Sequence, residues 1–246
     1  SKNPAFGLAS DDIHGRTEAV AMHKRANIML HRMNNHFGKK SIFSVQIATA
    51  PSVPVNGITS SLDSFLQSMD EMLIWDWAGA KLVIEHCDTF VLGQGFEKGF
   101  LSIEKELEAF ETLSKEHSLG VTINWARSAI EGRNIQKPID HLNLVMDKNL
   151  LSGLIFSGVS NNDKKYGRWN DTHVPFAKIE EYKFYEKNSL LTLDNIKNTL
   201  NVVNINKLDY LGIKLLAMPI NNSTLERRVG LNRDAVSILN QVVLNM

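Results

Sequence analysis

One cysteine, Cys87, is all the sulfur chemistry this chain has besides its methionines, so no disulfide closes within it. That excludes a small stapled secreted scaffold and fits a reducing, cytoplasmic setting. No apolar run is long enough to cross a bilayer, so no membrane partner is expected. Charge of one sign is missing too: Lys and Arg number 27, Asp and Glu 27. A chain without a basic excess is a poor phosphate-backbone binder, which argues against nucleic acid as the partner. Several motifs are absent: a Walker loop, a GxGxxG after a strand, an HExxH helix and a GxSxG elbow. Those absences weaken the cases for nucleotide hydrolase, dehydrogenase, metalloprotease and α/β-hydrolase. The start does not read as a signal peptide. The first residue is Ser1 rather than Met, and the chain is expected to be a processed or truncated product.

What is present is a repeated event. The apolar run Leu82-Val83-Ile84 ends in Glu85-His86-Cys87-Asp88, four residues able to do chemistry. Val121-Thr122-Ile123 runs into Asn124-Trp125-Ala126-Arg127, and Leu154-Ile155-Phe156 into Ser157-Gly158. Short apolar runs between helical patterns read as buried parallel strands. Their C-terminal ends are where α/β enzymes keep their working groups.

The rest of the pattern alternates. Ser10, Asp11 or Asp12 caps a helix to about His36, with Gly38 just past it. Ala19, Met22, Ala26, Met29 and Met33 recur at three-four spacing and read as its buried stripe. A strand follows over about Ile42–Ala48, then a loop from Thr49 to Ser60 punctuated by Pro51, Pro54 and Gly57. Ser60 and Asp63 make a capping-box pattern for a helix to about Trp75, with Leu62, Phe65, Leu66, Met69 and Leu73 on its apolar face. After the Glu85 strand and a glycine-bearing loop, Ser102 opens a helix to about His117, with Glu104 and Glu106 placing negative charge near its positive end. Arg127 to Pro138 reads as a loop, with at most a helical turn at its start. A helix near Ile139–Met146 follows, and Ser157 to about Phe176 is a long polar loop. A loop of that length in a compact domain is usually functional or mobile. Thr192 caps a helix to about Val203, Tyr210–Leu216 is the last strand, and a final helix runs from about Ser223 towards Asn245.

Strict alternation means parallel strands with right-handed crossovers. The spacing is that of a (β/α) barrel, but only about five of the eight strands of a closed barrel are visible. The expectation is one (β/α)-barrel domain over residues 1–246, lacking its N-terminal third. Such a remnant exposes sheet edges, so a homo-oligomer is among the expected states.

Five segments carry a resemblance: Phe6-Gly7-Leu8-Ala9-Ser10, Ile84 to Asp88, Glu97-Lys98-Gly99-Phe100-Leu101, Asn124 to Glu131, and Ile155-Phe156-Ser157-Gly158. Together they resemble a bacterial family of unknown function. That family looks like a member of the xylose isomerase-like TIM-barrel superfamily, which holds sugar isomerases, epimerases and endonuclease IV-like enzymes. The resemblance implies that three earlier barrel strands precede this region. It also implies a divalent metal (Mg, Mn or Zn) held by a Glu, an Asp, a His and a second Glu on successive strand ends. By position, Glu85 stands at the first Glu, Asn124 near the Asp, Ser157 near the His and Lys214 near the second Glu. An amide and a cation are poor replacements for carboxylates. No tightly bound Mg or Mn is therefore expected, unless His86, Asp88 or His173 completes an altered site.

The resemblance implies carbohydrate chemistry: isomerisation or epimerisation of a sugar or sugar acid, a small-molecule substrate, by proton abstraction next to a carbonyl. Glu85, His86 and Lys214 are the candidate catalytic residues. Lys98, Asn124, Trp125, Arg127, Glu131, Ser157 and His173 are the candidate substrate-binding residues. Each has a plainer reading. Glu85 can anchor an ion pair with Lys214 or Arg127. His86, next to it on a strand, points to the opposite face. Asp88 can cap its loop, Trp125 can pack under one, and Glu131 can pair with Arg127 across one helical turn. Lys98 and His173 can be solvated surface groups. Two alternative functions stay open, an endonuclease IV-like metal-dependent phosphoesterase and a non-catalytic carbohydrate-binding barrel.

Overall fold

The first helix, α1 (Ile13–Phe37), is closed at both ends by its own sequence. Asp12 accepts the Gly15 N–H at 2.6 Å, and Gly38 ends the helix in the left-handed region at φ 62°. This computed structural model describes residues 3–52 and 57–246; Pro54 of the predicted loop lies outside them. The remaining elements are β1 (Ser44–Ile47), α2 (Leu62–Leu73), β2 (Lys81–His86), α3 (Ile103–Leu113), β3 (Leu119–Asn124), α4 (Trp125–Gly132) and α5 (Lys137–Asp147). Then come β4 (Leu151–Phe156), α6 (Leu193–Asn201), β5 (Tyr210–Ile213) and α7 (Leu225–Leu244). The five strands follow chain order in one sheet, β1-β2-β3-β4-β5. Contacts divide the chain into two compact units: Ser1–Thr122 with Asp147–Leu151, and Ile123–Met146 with Ser152–Met246.

In the first unit β1 and β2 pair in parallel, Ser44 to Lys81 through Ile47 to Ile84. The side chains of Leu82, Ile84 and His86 share one face of β2, and Lys81, Val83 and Glu85 the other. Leu82 and Ile84 are buried, as are Phe65, Met69 and Met72 of α2 and Leu107 and Phe110 of α3. The rings of Phe65 and Phe110 stack at 6.2 Å between the two helices. The chain passes so close to itself at Gly7 that a Cβ there would lie 2.1 Å from the Ala50 carbonyl oxygen. Only glycine fits.

Several expectations change here. The buried face of α1 is Gly15, Ala19, Val20, His23, Asn27 and Leu30, while Met22, Met29 and Met33 are exposed. The periodicity was right, but the methionines lie about one residue's rotation off the stripe. Asn27 is drawn inward because its amide donates to the Asp76 carbonyl at 2.7 Å. The cap of α2 is Ser61, not Ser60: its Oγ accepts the Ser64 N–H at 3.2 Å. Ser102 precedes α3 without a side-chain capping bond, and α3 stops at Leu113, earlier than expected.

In the second unit β4 and β5 pair in parallel, Gly153 to Tyr210 through Phe156 to Ile213. The segment after Asn124 is a full helix, α4, not a loop. Its residues Trp125 to Glu131 are all buried, so packing decided its conformation. The last strand is shorter than expected, and Lys214 lies one residue beyond it, its N–H on the Phe156 carbonyl at 3.0 Å. Thr192 caps α6 as expected, accepting the Asn195 N–H at 3.2 Å.

The long loop after β4 is tied down rather than loose. Gly158 and Val174 exchange two backbone hydrogen bonds of 3.0 and 2.9 Å, and the Leu216 N–H reaches the His173 carbonyl at 2.9 Å. Tyr166 Oη donates to the Leu216 carbonyl at 2.9 Å and accepts the Met218 N–H at 3.1 Å. Burial and the neighbouring Glu186 carboxylate hold this phenol protonated far above its ordinary range. Glu186 in turn receives Lys165 Nζ at 2.7 Å and Arg227 Nη2.

Candidate functional site

The strand ends of the second unit carry a connected set of polar groups. Ser157 follows β4 and is fully buried. Its Oγ lies 3.0 Å from His173 Nδ1, so the loop histidine reaches back to the strand end. His173 Nδ1 also lies 3.2 Å from Asp171 Oδ1, and Asp171 Oδ2 lies 3.3 Å from Arg127 Nη2 of α4. The Arg127 and Asp171 side chains are 9% and 3% exposed, His173 21%. Arg127, Ser157 and His173, all expected from the sequence, are therefore brought together, and Asp171 links them. Nothing in the local pattern had singled out Asp171. His173 holds a left-handed backbone, φ 52°, uncommon for a residue with a side chain.

Nδ1 is the ring nitrogen of His173 that faces both Asp171 and Ser157. Ser157 and Asp171 address the same ring nitrogen. A Ser-His-Asp nucleophilic triad needs them on opposite nitrogens, so Ser157 is not arranged as an activated nucleophile. Lys214 falls on the same face of the β4–β5 pair as Ser157, by continuation of the register.

The other second-unit candidates are placed differently. Trp125 is fully buried and donates from Nε1 to Thr199 Oγ1 at 3.0 Å. Its ring is packed under its neighbours and presents no face to a sugar. Glu131 faces partners from α5. Its carboxylate lies 3.4 Å from Lys137 Nζ and 3.2 Å from His141 Nε2, both from the α5 region. His141 is fully buried, its Nδ1 3.0 Å from Ser128 Oγ. Asn124 is buried at the start of α4 and makes no side-chain capping bond there.

In the first unit Glu85 is half-buried and lines a cavity of about 320 Å³ with Phe6, Met22, His23, Gln46 and Ala48 among its neighbours. His23 is the other titratable group of that cavity. Its Nδ1 donates to the Ala19 carbonyl one turn back at 2.8 Å, and burial keeps its pKa below the ordinary value, against the raising effect of that bond. His86, on the opposite face of β2, is fully buried, its Nδ1 2.7 Å from Glu106 Oε2. Glu106 also accepts Thr49 Oγ1 at 2.6 Å and is itself fully buried. The sequence reading placed Glu106 at a helix start for its charge alone. Its position three after Ile103 and four before Phe110, on the apolar stripe of α3, was the available signal for burial. Asp88 caps its loop: Oδ2 accepts the N–H groups of Glu97 at 2.7 Å and Lys98 at 3.1 Å.

The donor set at the positions implied for a metal is a carboxylate, an amide, a hydroxyl engaged with His173, and the ammonium of Lys214. An ammonium has no lone pair to give and repels a cation. These four positions do not fit the shell of Mg, Mn or Zn.

Comparison with known proteins agrees with the architecture. Residues 1–231 match the family described as Domain of unknown function (DUF4862), and the chain belongs to it. It is 33% identical over 240 residues to the uncharacterized protein STM3670 of Salmonella typhimurium, covering 97% of this chain and 72% of that one. Among solved structures, a D-psicose 3-epimerase crystallised with D-fructose superposes with a TM-score of 0.57 at 13% identity, over 98% of this chain and 76% of that one. An L-ribulose 3-epimerase gives 0.54 at 10% identity over 98% and 74%, and an E. coli 3-keto-D-glucoside 4-epimerase 0.53 at 12% over 96% and 76%. The fold is thus that of a (β/α) barrel like those of these epimerases, with five parallel strands present.

Proposed function

We propose that this DUF4862 member is an isomerase or epimerase of a sugar or sugar acid, acting by proton abstraction next to a carbonyl. The observation that carries the reading is the run Arg127–Asp171–His173–Ser157 at the strand ends of the second unit. The fold it shares with three sugar epimerases supports the substrate class, as an analogy of fold and not of site.

The chemistry asks for a base, a donor for the developing oxyanion and a means of returning the proton. His173 supplies the base at Nε2. Its Nδ1–H is held between Ser157 and Asp171, and the Asp171 carboxylate stabilises the imidazolium formed when the proton arrives. Arg127 holds that carboxylate in place. Lys214 offers positive charge to an enolate oxygen, as a fixed ammonium in place of a metal. In isomerisation the imidazolium returns the proton to the neighbouring carbon while that carbon's hydroxyl proton passes to the enolate oxygen, so the carbonyl moves across; in epimerisation the imidazolium keeps the proton and a second acid protonates the same carbon from the other face. Glu85, the carboxylate of the first unit's cavity, is the other residue assigned to proton abstraction from its strand-end position.

The test is exchange of substrate carbon-bound hydrogen with D2O, followed by NMR across keto-hexoses, keto-pentoses and uronic acids. One or more should exchange, and His173→Asn should slow that exchange about a hundredfold or more. Binding of these sugars without exchange under any condition would favour instead a non-catalytic carbohydrate-binding barrel. That second reading draws on Lys214 and Asn124 standing where ligands are expected.

A further inference from the structure

A second polar cavity in the second unit belongs to none of the groups above. Its volume is about 450 Å³, and it is lined by Arg133, Asn161, Arg168 and Trp169. Arg133 caps the C-terminus of α4 in the left-handed region at φ 50°, and Trp169 is left-handed too, at φ 57°. The left-handed turn of Arg133 is the common way for a helix to end, and it aims the guanidinium off the end of α4. Arg133 donates from Nη1 to the Trp169 carbonyl at 3.1 Å, and its guanidinium centre lies 5.8 Å from the Trp169 ring. Arginine and indole are thereby held as one wall. Trp169 is fixed in turn by its N–H on the Ser160 carbonyl at 2.7 Å. Arg168 is exposed and makes no hydrogen bond or ion pair with any described residue. No carboxylate lines the cavity.

The balance of charge is therefore positive. The negative end of α4 brings roughly half a charge against two guanidinium groups, and Asn161 adds an amide donor. Guanidinium forks match the oxygens of phosphate, and an indole face packs against the C–H surface of a sugar ring. The volume is within the range of small-molecule sites. We infer that this cavity binds the phosphate of a phosphorylated sugar, with Arg133 and Arg168 on the phosphate and Trp169 against the sugar. The same loop carries Asp171 and His173 two and four residues further on, so the cavity and the proposed base share one segment. The sugar part rests on the function proposed above; the phosphate part stands on the cavity.

Calorimetric titration with inorganic phosphate, D-fructose 6-phosphate and D-fructose tests it. Wild type should bind phosphate saturably, bind the sugar phosphate at least tenfold more tightly than phosphate, and bind the free sugar more weakly than its phosphate. Arg168→Gln, at an exposed position that folding does not need, should weaken both phosphate ligands at least tenfold. Arg133→Lys, which keeps charge but loses the fork, should do likewise, while His173→Asn should leave phosphate binding unchanged. Absence of saturable phosphate binding, or equal affinity in wild type and Arg168→Gln, overturns the inference. A sugar phosphate no tighter than phosphate overturns the assigned ligand class. Either failure leaves proton exchange on unphosphorylated sugars, and so the proposed chemistry, untouched; loss of all exchange with phosphate binding intact defeats only the latter.

Discussion

Asp171 Oδ1 stands 3.2 Å from His173 Nδ1, two residues away along a loop that turns back on itself through the left-handed backbone of His173. The same carboxylate faces Arg127 with its other oxygen. One buried anion thus serves a cation on a helix and an imidazole at the strand ends.

Removing that anion should be felt twice. In Asp171→Asn the Arg127 guanidinium loses this carboxylate in a setting where both partners are nearly buried, costing about 3–5 kcal/mol of stability. Arg127→Met together with Asp171→Asn should recover much of the loss, because the cation leaves with its anion. Urea melts of wild type, both single variants and the double variant give the coupling. Additive losses would show that the pair is not a unit.

Glu85 is half-buried at a cavity. On the proposal that it abstracts a proton, Glu85→Gln, which keeps the side chain's shape, should melt close to wild type, since a group kept for chemistry is seldom kept for stability. Proton exchange, where Glu85 takes part, should fall by orders of magnitude. A large loss of stability with exchange intact would make Glu85 part of the scaffold.

Glu106 is the opposite case. It is fully buried and holds Thr49 and His86 together. Glu106→Leu should cost about 3–5 kcal/mol, since it removes one partner of a buried hydrogen-bonded pair. Replacing His86 by Leu as well should cost less than the two single changes added together. Guanidinium melts of the three variants decide it, and a neutral Glu106→Leu would contradict the pairing.

His23 sets a pH dependence. Burial depresses its pKa in the folded chain below the ordinary 6.5, so the unfolded chain takes up a proton that the folded chain refuses. Stability from this group is complete above about pH 6.5 and is lost as the pH falls below it, through the folded pKa. The melting midpoint should drop between pH 7 and 5, and His23→Gln should flatten that part of the profile. An unchanged slope in the variant would assign the effect to other groups.

Much of the scaffold is legible because it depends on neighbours in the chain. The apolar run before Glu85 defines β2, and strand alternation by itself places Glu85 and His86 on opposite faces. Asp12, Gly38 and Thr192 terminate helices through bonds to residues one turn away. Alternating strands and helices imply the parallel order of the sheet. The methionine stripe of α1 failed because hydrophobicity alone does not say which of two adjacent faces a neighbouring carbonyl will claim; the bond from Asn27 to Asp76 turned the helix.

The candidate site was legible only in its fixed part. Arg127, Ser157 and Lys214 lie at or near strand ends, where periodicity finds them. His173 and Asp171 lie in a polar loop whose local pattern distinguishes neither, and the wall of Arg133 and Trp169 lies between a helix end and that loop. Their pairing depends on how the chain returns after β4, which Glu186, Tyr166 and Leu216 secure from far along the sequence. Local pattern specifies elements because backbone hydrogen bonds and side-chain alternation act over a few residues. A site is made of charges that meet across long separations, and which cation a buried carboxylate finds is settled only when the loops are packed, because an unpaired buried charge is too costly to leave.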